Sequence, residues 1–233
     1  MYIIKTQMAN YPVFAKSSSK KYKQRKITDF TKKVTGIAKK VVHREAETKS
    51  ALNNSIPGNM FNDSVYAQNL NFFISQGSNA ENVIGEKFYL KNIHIKGTLS
   101  NLVNINTGNT PLFYRLLVIR TKKPLTNSSS IITATDIFRS SNSIASLAHV
   151  DLHKVDLIKD ITGKLTNPIN LTNDQTRFDI NLKINKTHFI DTDNGGYLKD
   201  KNYYLIFTAY KVDNPVFNVG FLSLNWSINF KDM

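Results

Sequence analysis

The sequence contains no cysteine, which excludes a disulfide framework, a thiolate metal site and a cysteine nucleophile, and permits a reducing compartment. It also lacks any run near the roughly 18 consecutive apolar residues of a spanning helix. The opening MYIIKTQMANYPVF lacks the charged-then-apolar order of a signal peptide, so a soluble, unsecreted protein is expected. Catalytic signatures are missing too: there is no GxxxxGK[ST], no histidine pair flanking an apolar residue, no HExxH and no Gly-x-Ser-x-Gly. Neither an enzyme nor a cofactor is expected, and no metal ligand is assigned. His149 and His153 have the spacing of a helical metal pair but straddle the start of a strand, so they read as ordinary histidines. Asp191, Asp193 and Asn194 before Gly195 and Gly196 resemble the opening of a calcium loop, yet Asn202 stands where its closing acid belongs. A turn between strands is the reading there, with calcium at a subunit contact as the alternative.

Acidic residues are nearly absent from the first 44 positions, which hold 12 Lys plus Arg against one Asp, a balance of +11. The remainder carries 19 bases and 16 acids, so the segment 1–44 is the part that seeks a polyanion. Lys16, Lys20, Lys21, Lys23, Arg25 and Lys26 lie in a Ser/Lys-rich stretch that cannot form a core and is expected to be extended until a ligand orders it. Nucleic-acid neutralisation and a nuclear import signal are the functional readings, and a solvated tail is the plain one. From Thr28 to Arg44 the pattern changes: Phe30, Val34, Ile37 and Val41 recur at intervals of 4, 3 and 4 and line one narrow helical stripe. Lys32, Lys39 and His43 lie on the far side, and Lys33, Lys40 and Arg44 add to the charge. Thr28 is a capping residue and Asp29 suits the first turn, whereas Gly36 weakens the middle by about 1 kcal/mol. A helix of this length is marginal alone, so docking, nucleic acid or a membrane surface would order it. Residues 45–63, polar and punctuated by Pro57 and Gly58, read as a hinge.

Beyond the hinge the pattern is of strands. Within Gly85–Leu99 (GEKFYLKNIHIKGTL), Ile93, Ile95 and Leu99 alternate with His94, Lys96 and Thr98, as in a half-buried strand. Phe88 and Leu90 have the opposite parity, which predicts a bulge near Lys91 and Asn92. Further strands are predicted from Val65 to Ile74, Phe113 to Thr121, His153 to Ile161, Phe178 to Asn185, Thr187 to Ile190, Tyr203 to Val212 and Leu222 to Phe230. The third and seventh in chain order, Phe113–Thr121 and Tyr203–Val212, are apolar on both faces, so each needs a cover besides the core, from a loop or another subunit. Residues 122–150 form a long Ser/Thr/Asn-rich connection with a short helix expected over Thr135–Ser141, the kind of connection that forms interfaces. Eight strands without a βαβ rhythm predict an all-β fold: an eight-stranded antiparallel jelly-roll sandwich over 64–233, with a basic, partly helical N-terminal arm.

The order basic arm, SQG (Ser75–Gly77), IGEKFYLKNIHIKGTL (Ile84–Leu99), RLLVIRTKKPL (Arg115–Leu125), then NYYLIFTAY (Asn202–Tyr210) and an aromatic-rich end at Trp226 and Phe230, resembles the capsid protein of small circular single-stranded DNA viruses that encode a rolling-circle replication protein, the circovirus-like group. The resemblance implies a homo-oligomer of about 60 copies in a closed icosahedral shell, arms inward on the viral ssDNA genome. Such arms supply on the order of 660 positive charges for counterion release. Family arms are often Arg-rich and this one is Lys-rich, which suffices for phosphate neutralisation. Tyr22 is placed to stack on an unpaired base. The resemblance further implies residence in the virion, assembly in the host nucleus and an unidentified host cell-surface receptor. Two other readings stand beside it: the capsid subunit of a small RNA virus or satellite, and a β-sandwich module that binds glycans or a cell surface.

Overall fold

In the computed structural model the described residues are 28–38, 41, 47–55, 58–71, 74, 76–78, 82–101, 110–122, 132–139, 144–166, 175–191, 198–199, 201–212 and 218–233. The chain divides into two units, Met1–Glu45 and Ala46–Met233. In the first, residues 28–38 form a helix, α1, with residue 41 again helical.

The second unit holds nine strands among its described residues: β1 (Thr48–Ser55), β2 (Asn59–Phe61), β3 (Val65–Asn69), β4 (Lys87–Asn101), β5 (Leu112–Thr121), β6 (Val155–Leu165), β7 (Gln175–Phe189), β8 (Tyr203–Lys211) and β9 (Asn218–Asp232). One sheet runs β1-β9-β4-β7 and the other β3-β8-β5-β6, with β2 beside β9. Every pairing is antiparallel. The pairs nest, first strand with last (β1 with β9), then β3 with β8, β4 with β7 and β5 with β6. That nesting is a long hairpin rolled into two sheets, a jelly roll. β1 and β2 lie in succession along the same side of β9 and together fill one strand position, so eight positions are occupied.

The expected bulge is present. The register of β4 against both β7 and β9 shifts between Leu90 and Asn92, and Phe88, Leu90, Ile93, Ile95 and Leu99 are all buried despite their two parities. An extra residue at Lys91 reverses which face the following side chains occupy. Opposite it, Asn185 takes φ 51°, the left-handed region that Asn tolerates better than most residues. The two predicted pieces 178–185 and 187–190 are therefore one strand, bent at Asn185.

Residues 45–63 are a correction: the expected hinge carries β1 and β2. Its periodicity is weak because only Ala51 and Met60 of these strands are buried hydrophobics, while Leu52 and Phe61 face solvent. The segment is held by backbone pairing to β9, which leaves no mark in the side-chain pattern. β6 begins at Val155, later than expected, and continues past Ile161, its expected end, through Gly163 to Leu165. The helix expected over Thr135–Ser141 is one turn, α2 (Ala134–Ile137).

The inter-sheet core contains Phe88, Leu90, Ile93, Leu116, Val118, Leu205, Phe207, Leu224, Trp226, Ile228 and Phe230. Phe88 meets Phe230 edge-on at 5.8 Å between centroids. A second cluster lies on the other side of the β5–β8 pair: Leu117, Ile119, Tyr204 and Ile206 pack with Ile137, Phe138, Ala145, Ala148 and Val150. The two strands apolar on both faces are thus covered by residues 132–139 and 144–150 of the same chain. Burial of such side chains is worth about 1.5–3 kcal/mol each, so this cover is a structural layer.

Gly97 sits where the sheet admits no side chain: a Cβ there would lie 2.3 Å from Phe178 Cζ and 2.6 Å from the Ser223 carbonyl oxygen. Gly97→Ala is expected to cost about 1–3 kcal/mol, read as a lower urea midpoint. Gly58→Ala, at a position where an added methyl group would meet nothing within 4 Å, is the control that leaves the midpoint in place.

Candidate nucleic-acid interface

Of the eleven basic residues assigned to nucleic acid from the sequence, Lys32 and Lys33 are described, both exposed on α1. Lys16, Lys20, Lys21, Lys23, Arg25, Lys26, Lys39, Lys40 and Arg44 lie outside the described residues, as does most of the Asp191–Gly196 turn. The apolar stripe of α1 is solvent-facing, with Phe30, Val34, Ile37 and Val41 all exposed. His149 and His153 are exposed in the segment before β6.

The sandwich carries cations that the sequence reading did not single out. On the outer face of the β1-β9-β4-β7 sheet, Lys96, Thr98, Arg177, Asp179, Ser223 and Asn225 line a shallow depression. Asp179 is paired with His94, and Lys96 Nζ lies 3.8 Å from its second oxygen. Ser223, Asn225, Ser227 and Asn229 follow one another along the outward parity of β9, which gives this face hydroxyl and amide groups instead of apolar ones. Their alternation with Leu222, Leu224, Trp226 and Ile228 was the readable signal.

Arginines fix the other sheet. Arg115 grips Asp160 with Nε at 3.0 Å and Nη2 at 2.7 Å, donates from Nη1 to the Ala148 carbonyl and places its guanidinium 6.0 Å from the Phe138 ring centroid. One side chain thereby ties β5, β6 and the cover together, and a bidentate guanidinium–carboxylate pair has the geometry to do so. Asp63, held at φ 56°, accepts from the Ala145 N–H at 2.7 Å and anchors the cover from the β2–β3 turn. Thr133 and Asp136 form a capping box on α2. The hydroxyl and N–H of Thr133 hold the Asp136 carboxyl below its ordinary range.

At the Tyr203 end of the sandwich a buried amide network joins two connections to the end of β5. Asn71 donates to Asn202 Oδ1 at 2.7 Å and accepts from the Tyr203 N–H at 2.8 Å. Asn202 in turn accepts from the Leu198 N–H at 2.8 Å, and its own N–H donates to Thr121 Oγ1 at 2.9 Å. The indole N–H of Trp226 donates to the Leu70 carbonyl at 3.0 Å, which fastens one sheet to the other. Burial pushes the Tyr203 phenol upward, and its oxygen lies 3.2 Å from His188 Nε2. Beside it Arg120 donates to Asp156 Oδ2 at 2.6 and 3.1 Å, while Lys122 and Lys201 approach that carboxylate to 3.7 and 3.6 Å. Three cations around one anion leave this corner net positive. The Arg120 hydrogen bonds hold the Asp156 carboxyl below its usual range.

No protein-family model matches the sequence, and no curated protein does. Among solved structures the chain is similar to one from Desmodium yellow mottle tymovirus, with a TM-score of 0.33 and 13% identity over 80% of this chain and 88% of that one. It is also similar to a chain of infectious bursal disease virus, Gx strain, with a TM-score of 0.30 and 9% identity over 78% of this chain and 33% of that one, so it spans about a third of that chain's length. The assignment of an all-β jelly-roll sandwich rests on strand order and register, not on these overlaps.

Asp156 gives a pH test. Its folded pKa lies below the unfolded value of about 3.9, so its stabilisation is present above that pH and is lost as pH falls through the folded value. Asp156→Asn is expected to unfold at lower urea than the parent at about pH 6, with the gap closing as pH approaches about 2. Urea midpoints across that range check it, and a gap that stays constant counts against the pairing.

Proposed function

We propose that the protein is a viral coat subunit that self-assembles into a small closed shell and packages nucleic acid through its basic N-terminal arm. The observation that carries this reading is one chain joining the nested jelly-roll strand order, the order of viral capsid domains as well as lectins and cupins, to a segment of balance +11 within 44 residues. A sandwich of net +3 needs no such arm for solubility, whereas a shell that encloses a polyanion needs cations on every copy. Lys16, Lys20, Lys21, Lys23, Arg25, Lys26, Lys32, Lys33, Lys39, Lys40 and Arg44 are the residues we assign to phosphate. They act by counterion release and not by reading bases.

The sequence resemblance favours a circular ssDNA genome, about 60 copies per shell and assembly in the host nucleus. An RNA genome is the first rival, and nuclease sensitivity of co-purified nucleic acid separates the two. The second rival, a glycan- or cell-surface-binding module, draws on the polar depression around Lys96 and Arg177. Since the 132–150 connection covers the outer face of β5 and β8, intersubunit contact is assigned instead to sheet edges and loops. Host receptor contact would fall on the outside of the shell.

The test compares the full chain with one starting at Ala46, titrated against a fluorescent single-stranded oligonucleotide at several salt concentrations. The full chain is expected to bind at least about a hundredfold tighter at low salt, its log affinity falling by about 0.7 per neutralised phosphate for each tenfold rise in salt. The shortened chain should keep its urea midpoint. Equal binding by the two chains contradicts the assignment of the arm, and a shortened chain that fails to fold makes the arm structural.

A further inference from the structure

The stripe on α1 is more specific than general amphipathicity. Phe30, Val34, Ile37 and Val41 follow intervals of 4, 3 and 4, which are the d, a, d and a positions of two heptads. They are 69%, 47%, 63% and 51% exposed, and within α1 itself nothing buries them. A helix meant to lie on a lipid surface or against a sandwich carries a broad apolar face, while a seam limited to a and d fits a second helix. The flanks agree with that. The e positions are Thr31 and Ala38, without charge, and the described g position is Lys33, with Lys32 at f.

In a parallel, in-register pair the g residue of one helix meets the following e residue of the other. Lys33 would face Ala38, with no like-charge contact. In an antiparallel pair g faces g, and Lys33 would be brought toward another lysine. The charge pattern therefore permits the parallel arrangement and penalises the other. Val at the a positions is β-branched, the choice of small parallel coiled coils.

We infer that α1 is an assembly element: the d/a seam of Phe30, Val34, Ile37 and Val41 packs in parallel against the same seam of a second copy of this chain, leaving Lys32 and Lys33 at its outside for phosphate. The inference rests on the coat-subunit reading, because two heptads are short of the length at which such a seam is stable alone. Tethering arms to a common shell raises their effective concentration to the range in which a short seam closes. Arms that meet around a rotation axis run parallel, as the charge pattern requires.

Absence of native cysteine makes the test direct. Ile37→Cys, at a d position, and Lys32→Cys, at an f position, are introduced separately into the full chain, oxidised mildly and run on non-reducing gels. The same samples are viewed by electron microscopy. A parallel seam puts the two residues 37 within disulfide reach and holds residues 32 apart, so cross-linked dimer is expected to be at least about tenfold more abundant for Ile37→Cys. Shells with equal or negligible cross-linking at both positions overturn the seam while the coat reading stands. Seam-selective cross-linking without shells supports helix pairing and overturns the coat reading, and neither shells nor cross-links overturn both. Negligible cross-linking with co-sedimentation of the chain on phosphatidylserine vesicles reassigns the stripe to lipid and likewise overturns the seam.

Discussion

The pairing of β9 with the strands on either side of it is the constraint on which the sandwich depends. Along one edge β9 meets β1 and β2, along the other it meets β4 over thirteen registered positions from Phe88 to Asn101. Its inward residues Leu222, Leu224, Trp226, Ile228 and Phe230 are all buried, and the Trp226 indole reaches across to the Leu70 carbonyl. The first strand of the sandwich is held by the last, so the sheet is complete only when β1 and β9 are both in place. A topology of such long-range pairs folds slowly and leaves strand edges unpaired until both sheets are formed.

A second consequence concerns surfaces. β5 and β8 are apolar on both faces, and an open outer face of that kind would be a large sticky patch. The 132–150 connection turns it into a third layer, pinned by Asp63, Arg115 and the α2 capping box. The outer face of the other sheet, by contrast, is polar along β9, from Ser223 to Asn229. Apolar burial lies within the sandwich, and charge is concentrated in residues 1–44.

The fold was legible where side chains alternate. The β4 bulge could be read because Phe88 and Leu90 break parity with Ile93 and Ile95, and β9 because every second residue from Leu222 to Phe230 is apolar. β1 and β2 were not legible, since their place is fixed by backbone hydrogen bonds to β9 and only Ala51 and Met60 mark them as buried. Nor was the single strand β7: its bend lies in the left-handed φ of Asn185, and a parity change there looks like two strands. The two-faced burial of Phe113–Thr121 and Tyr203–Val212 was visible, but its cover was not, because Asp63, Arg115 and Asp160 are far apart in sequence. Of the candidate interface, charge and the helical stripe could be read directly. The net-positive corner of Arg120, Lys122 and Lys201 around Asp156 could not, as two strands and two loops must converge to make it.

The most direct measurement is electron microscopy of the purified full chain at low salt, together with extraction of nuclease-protected nucleic acid from the same particles. Closed, uniform shells that protect nucleic acid are the predicted result. Monomers free of nucleic acid under those conditions would contradict the account.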